Sequence, residues 1–273
     1  MGAEKITPMY SSLRLAQKYL RYYLTAANGK GHGIHSPFVF DFVTKVLNDT
    51  QRYPAYRSIE QLRQRLRNDP TILEVQDMGA GSAYKNTPIS RSIASITRNA
   101  AKPPRLGRLL HRVARHYQPA TILELGTSLG LSTAYLASGA PGAAVYTIEG
   151  APEIATAAKR NLESLHLTAT VIPGSFDEKL PALLPTIPSI DLAFIDGNHR
   201  LEPTLHYFNT LLPHCSARAI LIFDDIHWSA GMEAAWTAIK SDPRVLLTID
   251  VFFLGFVILR EESKVKQDFI IRF

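Results

Sequence analysis

The chain has 273 residues, of which 46% are hydrophobic, so it can bury a full core and is neither disordered nor fibrous. Cys215 is its only cysteine, which excludes an intrachain disulfide and a four-cysteine zinc site and predicts a reducing compartment. The net charge of +6 is uneven, because residues 1–118 carry 19 Lys and Arg against 7 Asp and Glu, whereas residues 119–273 carry 11 against 17.

Composition also bears on where the protein acts. The first residues contain no apolar segment of the secretory type, and residues 251–259, the most apolar run, are too few to span a bilayer. We therefore expect a soluble, cytoplasmic protein. The basic first half predicts a solvated helical surface that complements the acidic second half, with an RNA-binding or membrane-surface patch as the alternatives.

The first third of the chain is predicted to be helical. Apolar residues at helical spacing predict amphipathic helices over Ser12–Thr25, residues 38–48 and residues 59–68. A glycine-rich loop between the first two holds His32 and His35. Two histidines without a third ligand are weak grounds for a metal site, so we interpret both as loop residues.

Residues 77–82, DMGAGS, imitate the glycine turn of a nucleotide-binding site. The segment that follows lacks a small apolar helix face, and Pro88 lies where the helix of a βαβ unit would run. We therefore predict a flexible loop, and we hypothesise from its position that it serves as a lid. Helices are predicted to follow over about residues 89–99 and over residues 105–117.

From Thr121 onward, short apolar runs alternate with helical segments, which predicts an α/β fold with a doubly wound, mostly parallel sheet. Little more than Gly255 separates the last two runs, so they should form an antiparallel hairpin at one edge of the sheet. Residues 267–273 would add a short terminal strand. The seven predicted strands of the sheet are residues 121–125, 144–148, 168–172, 190–195, 219–223, 247–253 and 256–260.

Residues 121–136, TILELGTSLGLSTAYL, combine a buried strand, a glycine turn and the start of a helix. Gly126 and Gly130 allow a positive φ or a close ligand approach, and amides at the helix start would face that ligand. The dinucleotide fingerprint has a further glycine that admits a pyrophosphate, but Ser128 stands there, which argues against such a cofactor. Glu149, at the end of the next strand, is placed to accept hydrogen bonds from ribose hydroxyls.

Three carboxylates follow two later strands of the predicted sheet. Asp196 ends the fourth strand, and Asp224 and Asp225 end the fifth. Because adjacent parallel strands deliver their carboxyl ends to the same crevice, the three would repel one another and raise each other's pKa. A hard divalent cation such as Mg²⁺ removes that conflict, so the cluster predicts a metal site. The alternative is that Asp225 turns outward and caps the next helix.

Five segments, in this order, resemble class I S-adenosylmethionine-dependent methyltransferases: ILELGTSLGLSTAYLA, VYTIEG, VIPGSF, IDLAFIDGNHR and AILIFDDIHW. The resemblance covers about residues 105–260 and implies a sheet of seven strands whose last strand is reversed. Residues 105–273 would then bind S-adenosylmethionine, and residues 1–104 would form a basic helical extension on the acceptor side. The resemblance implies that Glu149 would hold the ribose and that Ser175 and Phe176 would flank the adenine of the cofactor. The methionine end would be lined by Glu124, Gly126, Ser128 and Ser132. The implied cofactor site also includes Thr127, Gly130 and Gly150.

The acidic cluster is similar to that of metal-dependent O-methyltransferases of the catechol and caffeoyl-coenzyme A kind, in which the corresponding pair is Asp-Asn. The pair of Asp224 and Asp225, with His199 three residues after Asp196, is closer to the macrolide-sugar O-methyltransferases. By this resemblance the metal would bind a substrate hydroxyl and lower its pKa. His199 or, failing it, Asp196 would take the proton.

We therefore predict an S-adenosylmethionine-dependent O-methyltransferase that acts on a hydroxyl of a small molecule with the assistance of Mg²⁺. His227 and Trp228, just past the aspartate pair, would wall the acceptor pocket. The alternatives are an RNA methyltransferase that uses the basic first half and an NAD-linked oxidoreductase or non-catalytic nucleoside-binding module. The composition is also compatible with a homo-oligomer.

Overall fold

The computed structural model describes residues 9–27, 29–31, 33–75, 89–260 and 265–273. The DMGAGS segment and His32 lie outside these ranges, so the predictions that concern them stay predictions. Within the described ranges, no helix combines the length and the apolarity that crossing a bilayer requires.

The N-terminal helices form where the periodicity predicts them. Helix α1 (Ser12–Thr25) has the predicted bounds. The second predicted helix is a short α2 (Pro37–Asp41) that continues as a π-helical segment (Phe42–Leu47). Helix α3 (Pro54–Arg67) begins earlier than predicted, because Pro54 has the backbone angle of a first helical turn.

A two-stranded antiparallel ribbon precedes the next helices. The prediction of a helix from residue 89 was wrong at its start, because Ile89 pairs with Val75 and the helix begins only at residue 93. The Ser92 hydroxyl accepts a hydrogen bond from the Ser95 amide at 3.1 Å, which caps that helix. The elements are β1 (Ile72–Val75), β2 (Ile89–Ser92), α4 (Ile93–Ala100) and α5 (Pro104–Tyr117), the last as predicted.

The rest of the chain alternates strands with helices, as predicted. The elements are β3 (Thr121–Leu125), α6 (Leu131–Gly139), β4 (Ala144–Glu149), α7 (Pro152–Ser164), β5 (Thr170–Pro173), α8 (Phe176–Leu183), β6 (Ile190–Ile195), α9 (Leu201–Leu211), β7 (Cys215–Asp224), α10 (Ala230–Ser241), β8 (Leu247–Asp250), β9 (Leu254–Ile258) and β10 (Gln267–Ile270).

In the described part of the chain, eight strands form one sheet in the order β10-β8-β9-β7-β6-β3-β4-β5. Strand β4 is parallel to β3 and to β5, whereas β9 is antiparallel to β7 and to β8. The predicted α/β fold with a mostly parallel sheet and a reversed hairpin strand is therefore confirmed. Strand β10, the predicted terminal strand, brings the seven strands to eight.

Two details of the hairpin between β8 and β9 differ from the prediction. The chain turns over residues 251–253, where Phe252 has a φ of 72°, and not at Gly255. Gly255 lies inside β9 instead. Glycine is needed there because a Cβ would come within 2.8 Å of the Trp236 ring. The hairpin is also not at the edge of the sheet, because β10 pairs with β8 outside it.

The chain divides into two compact units. We call Lys45–Leu192 the turn unit, in which α5 packs against α6. The terminal unit combines the segment that ends at Thr44 with Ala193–Phe273, and in its core the buried rings of Phe42 and Phe256 meet edge to face at 5.1 Å. The prediction that residues 1–104 serve the acceptor side and residues 105–273 bind the cofactor divides the chain by function and not by compactness, and it stays a prediction.

Candidate functional site

The glycine turn between β3 and α6 lies in the turn unit and has the predicted backbone. The φ angles are 102° at Gly126, 48° at Ser128 and 83° at Gly130. The Gly126 amide donates to the Ile148 carbonyl on β4 at 3.0 Å. A Cβ on Gly130 would come within 3.4 Å of the Ala158 carbonyl oxygen. The positive φ at Gly126 and Gly130 therefore favours glycine at both positions, whereas a Cβ on Gly130 would make only ordinary van der Waals contact with Ala158.

Glu149, the last residue of β4, is held by two backbone amides. The Ser128 amide donates to its Oε2 at 2.7 Å, and the Ala151 amide donates to its Oε1 at 3.0 Å. Ser128, whose backbone amide makes the first of these contacts, has a positive φ of 48°. An ionised carboxylate has about four acceptor sites, so a carboxylate oriented in this way suits the two hydroxyls of a ribose.

Glu124 in β3 belongs to a buried polar network. Its Oε2 accepts hydrogen bonds from the hydroxyls of Thr133 and Thr147, and the Thr147 hydroxyl also meets that of Thr127. All four side chains are buried. The network joins β3, β4 and α6 around the glycine turn. These contacts give Glu124 a structural part, and its role at the methionine end of the cofactor stays a prediction.

The predicted adenine contacts follow β5. The Gly174 amide donates to the Glu149 carbonyl at 2.9 Å, which brings this turn beside the end of β4. The Ser175 hydroxyl caps α8, and the half-buried Phe176 is the first residue of that helix. All ten predicted cofactor residues lie in the turn unit, at or just after the ends of three strands: Glu124, Gly126, Thr127, Ser128, Gly130, Ser132, Glu149, Gly150, Ser175 and Phe176.

Two aspartates and one histidine, which we call the metal-ligand group, lie close together in the terminal unit. Asp196 directly follows β6, and Asp224 is the last residue of β7. One ligand atom from each of Asp196, His199 and Asp224 lies within 4.8 Å of the others. The His199 Nε2 is 3.5 Å from an oxygen of Asp196, and Asp224 is 1% exposed. The structure thus brings together three of the four residues predicted to bind metal or take a proton.

A left-handed residue sets the position of His199. Asn198 has a φ of 57°, a conformation that asparagine tolerates better than most residues. Its side-chain nitrogen Nδ2 donates to the Tyr207 hydroxyl at 3.2 Å, and its side-chain oxygen Oδ1 accepts from the Arg200 Nε at 2.9 Å. The short turn after β6 is therefore fixed from two sides and returns His199 toward Asp196.

The donor set of this group fits a divalent cation. Two carboxylates supply the oxygen ligands that Mg²⁺ prefers, and the imidazole nitrogen is a ligand that transition metals accept more readily. A cation would offset the repulsion between Asp196 and Asp224 in a place where Asp224 is almost fully buried. The geometry therefore suits a metal, with His199 either as a further ligand or as the base beside it.

Asp225 stands apart from this group. Its φ is 54°, its amide donates to the Phe253 carbonyl at 2.8 Å, and its carbonyl accepts from the Trp228 amide at 2.9 Å. Among the described residues it is not part of the metal-ligand group. The next helix, α10, is capped by the Ser229 hydroxyl instead. The predicted ligand role of Asp225 stays a prediction.

His227, predicted to wall the acceptor pocket, is held between two carboxylates. Its Nε2 lies 2.8 Å from Asp250 and its Nδ1 lies 3.1 Å from Glu233, so both nitrogens must carry a proton. Burial opposes the charged form, but the hydrogen bonds and charges of the two carboxylates raise the pKa of His227 above its ordinary value. Sequence reasoning missed Glu233 and Asp250, although Asp250, like Asp196 and Asp224, is a carboxylate at a strand end.

The sequence comparisons agree with this geometry. Residues 123–226 match the family model described as a methyltransferase domain. A catechol O-methyltransferase of Mycobacterium tuberculosis is 30% identical over 145 residues, which are 50% of this chain and 64% of that protein. The bovine catechol O-methyltransferase is 34% identical over 95 residues, 33% of this chain and 35% of that protein. The chain spans about a third to two thirds of the length of the curated relatives it matches.

The solved structures support the fold. The O-methyltransferase from Bacillus cereus, solved in complex with SAH, aligns with a TM-score of 0.54 and 21% identity over 81% of this chain and 96% of that one. At this identity the likeness concerns the fold alone. Together with the family match, it confirms the resemblance that the motifs predicted. Residues 123–226 thus match a methyltransferase domain, and parts of the chain are similar to catechol O-methyltransferases.

Proposed function

We propose that the protein transfers a methyl group from S-adenosylmethionine to a hydroxyl of a small molecule, assisted by a divalent cation such as Mg²⁺. The observation that carries the proposal is the convergence of Asp196, His199 and Asp224 at the ends of two strands. The relation to catechol O-methyltransferases supports a small hydroxylated acceptor.

The turn unit would hold the methyl donor. S-adenosylmethionine, when bound, supplies a methyl group on a sulfonium that an oxygen nucleophile can attack. The Glu149 carboxylate would accept the ribose hydroxyls, since the Ser128 and Ala151 amides orient it without altering its charge. Ser175 and Phe176 would flank the adenine. The turn over residues 126–130 would bring backbone amides close to the cofactor.

The terminal unit would activate the acceptor. Asp196 and Asp224 would hold the cation, which when bound lowers the pKa of a coordinated hydroxyl. The His199 Nε2 would take the hydroxyl proton, and the nearby Asp196 would stabilise the imidazolium that results. The deprotonated oxygen would form its bond to the methyl carbon as the bond from that carbon to sulfur breaks. Asp225 is retained as a further ligand, to be tested apart from Asp224.

The assignments outside the site are part of the same proposal. Residues 1–104 would help to select the acceptor, and residues 105–273 would form the catalytic domain. The basic first half would not serve as an RNA-binding surface, so the protein should not methylate RNA.

Calorimetry and turnover together test the proposal. The protein is titrated with S-adenosylmethionine and with NAD, each with and without Mg²⁺, and methyl transfer to catechol and related hydroxylated compounds is measured with and without a chelator. We expect binding of S-adenosylmethionine and metal-dependent turnover. Tight binding of NAD without binding of S-adenosylmethionine would overturn the proposal.

Variants separate the roles. Asp224→Ala should abolish metal-dependent turnover while it leaves the affinity for S-adenosylmethionine nearly unchanged, whereas Glu149→Ala should weaken that affinity. Asp225→Ala decides whether that residue is also a ligand. The exposed Glu163→Ala, on α7, is the matched control for loss of a carboxylate. A His199→Ala variant with an unchanged pH–rate profile would remove His199 from the role of base.

A further inference from the structure

Helix α1 has two apolar faces, of which the fold uses one. On the inner face, Tyr22 and Ala26 are buried in a cluster with Phe252. On the outer face, the side chains of two leucines are 71% exposed and that of a third is 58% exposed, namely Leu13, Leu24 and Leu20. An amphipathic helix on a protein surface normally has one apolar stripe, so the outer face needs its own explanation.

The outer face belongs to a helix that is firmly attached. The Lys18 ammonium lies 2.8 Å from Glu233, and the Tyr10 hydroxyl donates to the same carboxylate at 2.8 Å. The Tyr22 hydroxyl donates to the carbonyl of Ile271. All these contacts lie on the inner side or just before the helix. The exposed leucines are therefore presented by a structured element of the terminal unit, without contributing to its core.

The outer face combines an apolar stripe with a basic border. At about 100° per residue, Leu13, Leu20 and Leu24 fall within about 40° of one another around the helix. Arg14 and Arg21 lie together along one side of this stripe, and both are exposed. Residues 12–25 contain no Asp or Glu, and Lys18 is already paired on the inner side. The face is thus apolar at its centre and positive at its border.

We propose that the outer face of α1 docks the protein on an anionic lipid bilayer surface. The leucine side chains would enter the boundary between headgroups and acyl chains, and Arg14 and Arg21 would contact lipid phosphates, as interfacial amphipathic helices do. This goes beyond the proposed methyl transfer and does not depend on it.

Charge favours the bilayer over the other occupants of such a face. Two copies that paired antiparallel through α1 would bring their arginine borders to the same side, with no acidic residue on either helix to offset them. A nucleic acid would use Arg14 and Arg21 but would offer no apolar environment to three leucines. Of these three occupants, the anionic bilayer is the one that offers partners to both parts of the face.

Vesicle co-sedimentation with the full-length chain tests the proposal. We expect binding to phosphatidylcholine vesicles that contain phosphatidylglycerol, and little binding to phosphatidylcholine alone. The combined change Leu13→Gln, Leu20→Gln and Leu24→Gln should weaken binding at least about tenfold, with unfolding temperature unchanged because the side chains are exposed. The matched control, Val265→Gln with Ile270→Gln, alters two other exposed apolar side chains and should bind as the parent does.

The charge is tested in the same assay. Arg14→Gln with Arg21→Gln should weaken binding to the anionic vesicles and reduce its dependence on salt. Equal binding to both kinds of vesicle, or none to either, would overturn the proposal. So would a dimer seen by light scattering that the leucine variant dissociates, since the face would then belong to a second copy of the chain.

Discussion

Two carboxylates of the turn unit and two of the terminal unit are held in opposite ways. In the turn unit, Glu124 and Glu149 accept hydrogen bonds from neutral groups, which are threonine hydroxyls and backbone amides. In the terminal unit, carboxylates face basic side chains: Glu233 bonds Lys18 and His227, and Asp250 bonds His227 from its other side. Neutral hydrogen-bond donors orient a carboxylate and leave its negative charge uncompensated, whereas basic partners compensate that charge.

Two histidines, one in each unit, show the same contrast. His111 in the turn unit shares a hydrogen bond at 3.0 Å with the Ser138 hydroxyl, and burial lowers its pKa to about 4. Nearby Arg115 and Arg112 contribute to this lowering, and the ring is neutral near pH 7. Burial acts in the same direction on His227, but there two carboxylates outweigh it. The neighbours, rather than burial alone, decide the charge of each ring.

The largest effect on stability should come from removing a carboxylate that neutral donors hold in the turn unit. Glu124→Ala removes the acceptor of Thr133 and Thr147 and leaves a cavity among fully buried atoms. We expect the free energy of unfolding, measured with urea, to fall by about 3 kcal/mol. The exposed Glu163→Ala should change it by less than about 0.5 kcal/mol. Equal effects of the two variants would contradict the structural role of Glu124.

Removing a carboxylate that faces a basic side chain in the terminal unit should lower the free energy of unfolding by somewhat less. Asp250→Ala leaves the Phe252 amide without its side-chain acceptor and removes one of the two carboxylates on His227. We expect a loss of about 2 kcal/mol in the same urea experiment, less than for a fully buried pair because His227 is partly exposed. Glu202→Ala, at an exposed position on α9 in the same unit, serves as control. A loss no larger than that of the control would show that the cluster does not stabilise the unit.

The pH dependence of stability tests whether His111 is held neutral in the folded chain. Since the pKa of folded His111 is about 4 and its ordinary value is 6.5, protons bind preferentially to the unfolded chain. The contribution of neutral His111 to the free energy of unfolding is complete above pH 6.5 and is lost as the pH falls toward 4. Between pH 7.5 and 5.5 we expect it to reduce the free energy of unfolding by about 1.5 kcal/mol.

The measurement is the difference in stability between those two pH values. His111→Gln should make that difference smaller by the stated amount, whatever its effect at pH 7.5. His206→Gln alters an exposed histidine and should leave the difference as it is in the parent. A pH dependence that His111→Gln does not change would show that the ring is not held neutral.

Local patterns were enough to predict the elements that carry the site. The apolar run over Thr121–Leu125 and the glycines after it are local signals, so strand β3 and its turn follow directly from them. Asp196 and Asp224 could be placed near each other because parallel strands end at the same side of a sheet. Both inferences use periodicity and topology, which the sequence contains.

Other features depend on contacts between distant residues. The pairing of Glu124 with Thr147 follows from the register of β3 against β4, which no local pattern specifies. Gly255 resembles a turn residue, and only the approach of the Trp236 ring explains its place inside a strand. Asp225 was grouped with Asp224 because they are neighbours, yet its backbone leaves the extended conformation and separates it from the metal-ligand group. Tertiary packing decided each of these positions.

The smallest expected effect concerns how the turn unit orients Glu149. Ser128 has a φ of 48°, and its backbone amide, rather than its side chain, donates to Glu149 at 2.7 Å. Ser128→Gly relieves the left-handed strain and Ser128→Ala keeps it, while both keep the amide. Urea unfolding should therefore find the glycine variant more stable than the alanine variant by about 1 kcal/mol. Both should bind S-adenosylmethionine in calorimetry within a few-fold of the parent. A large loss of affinity in both would mean that the Ser128 hydroxyl contacts the cofactor, and the neutral donors of this unit would then include a side chain as well as the backbone.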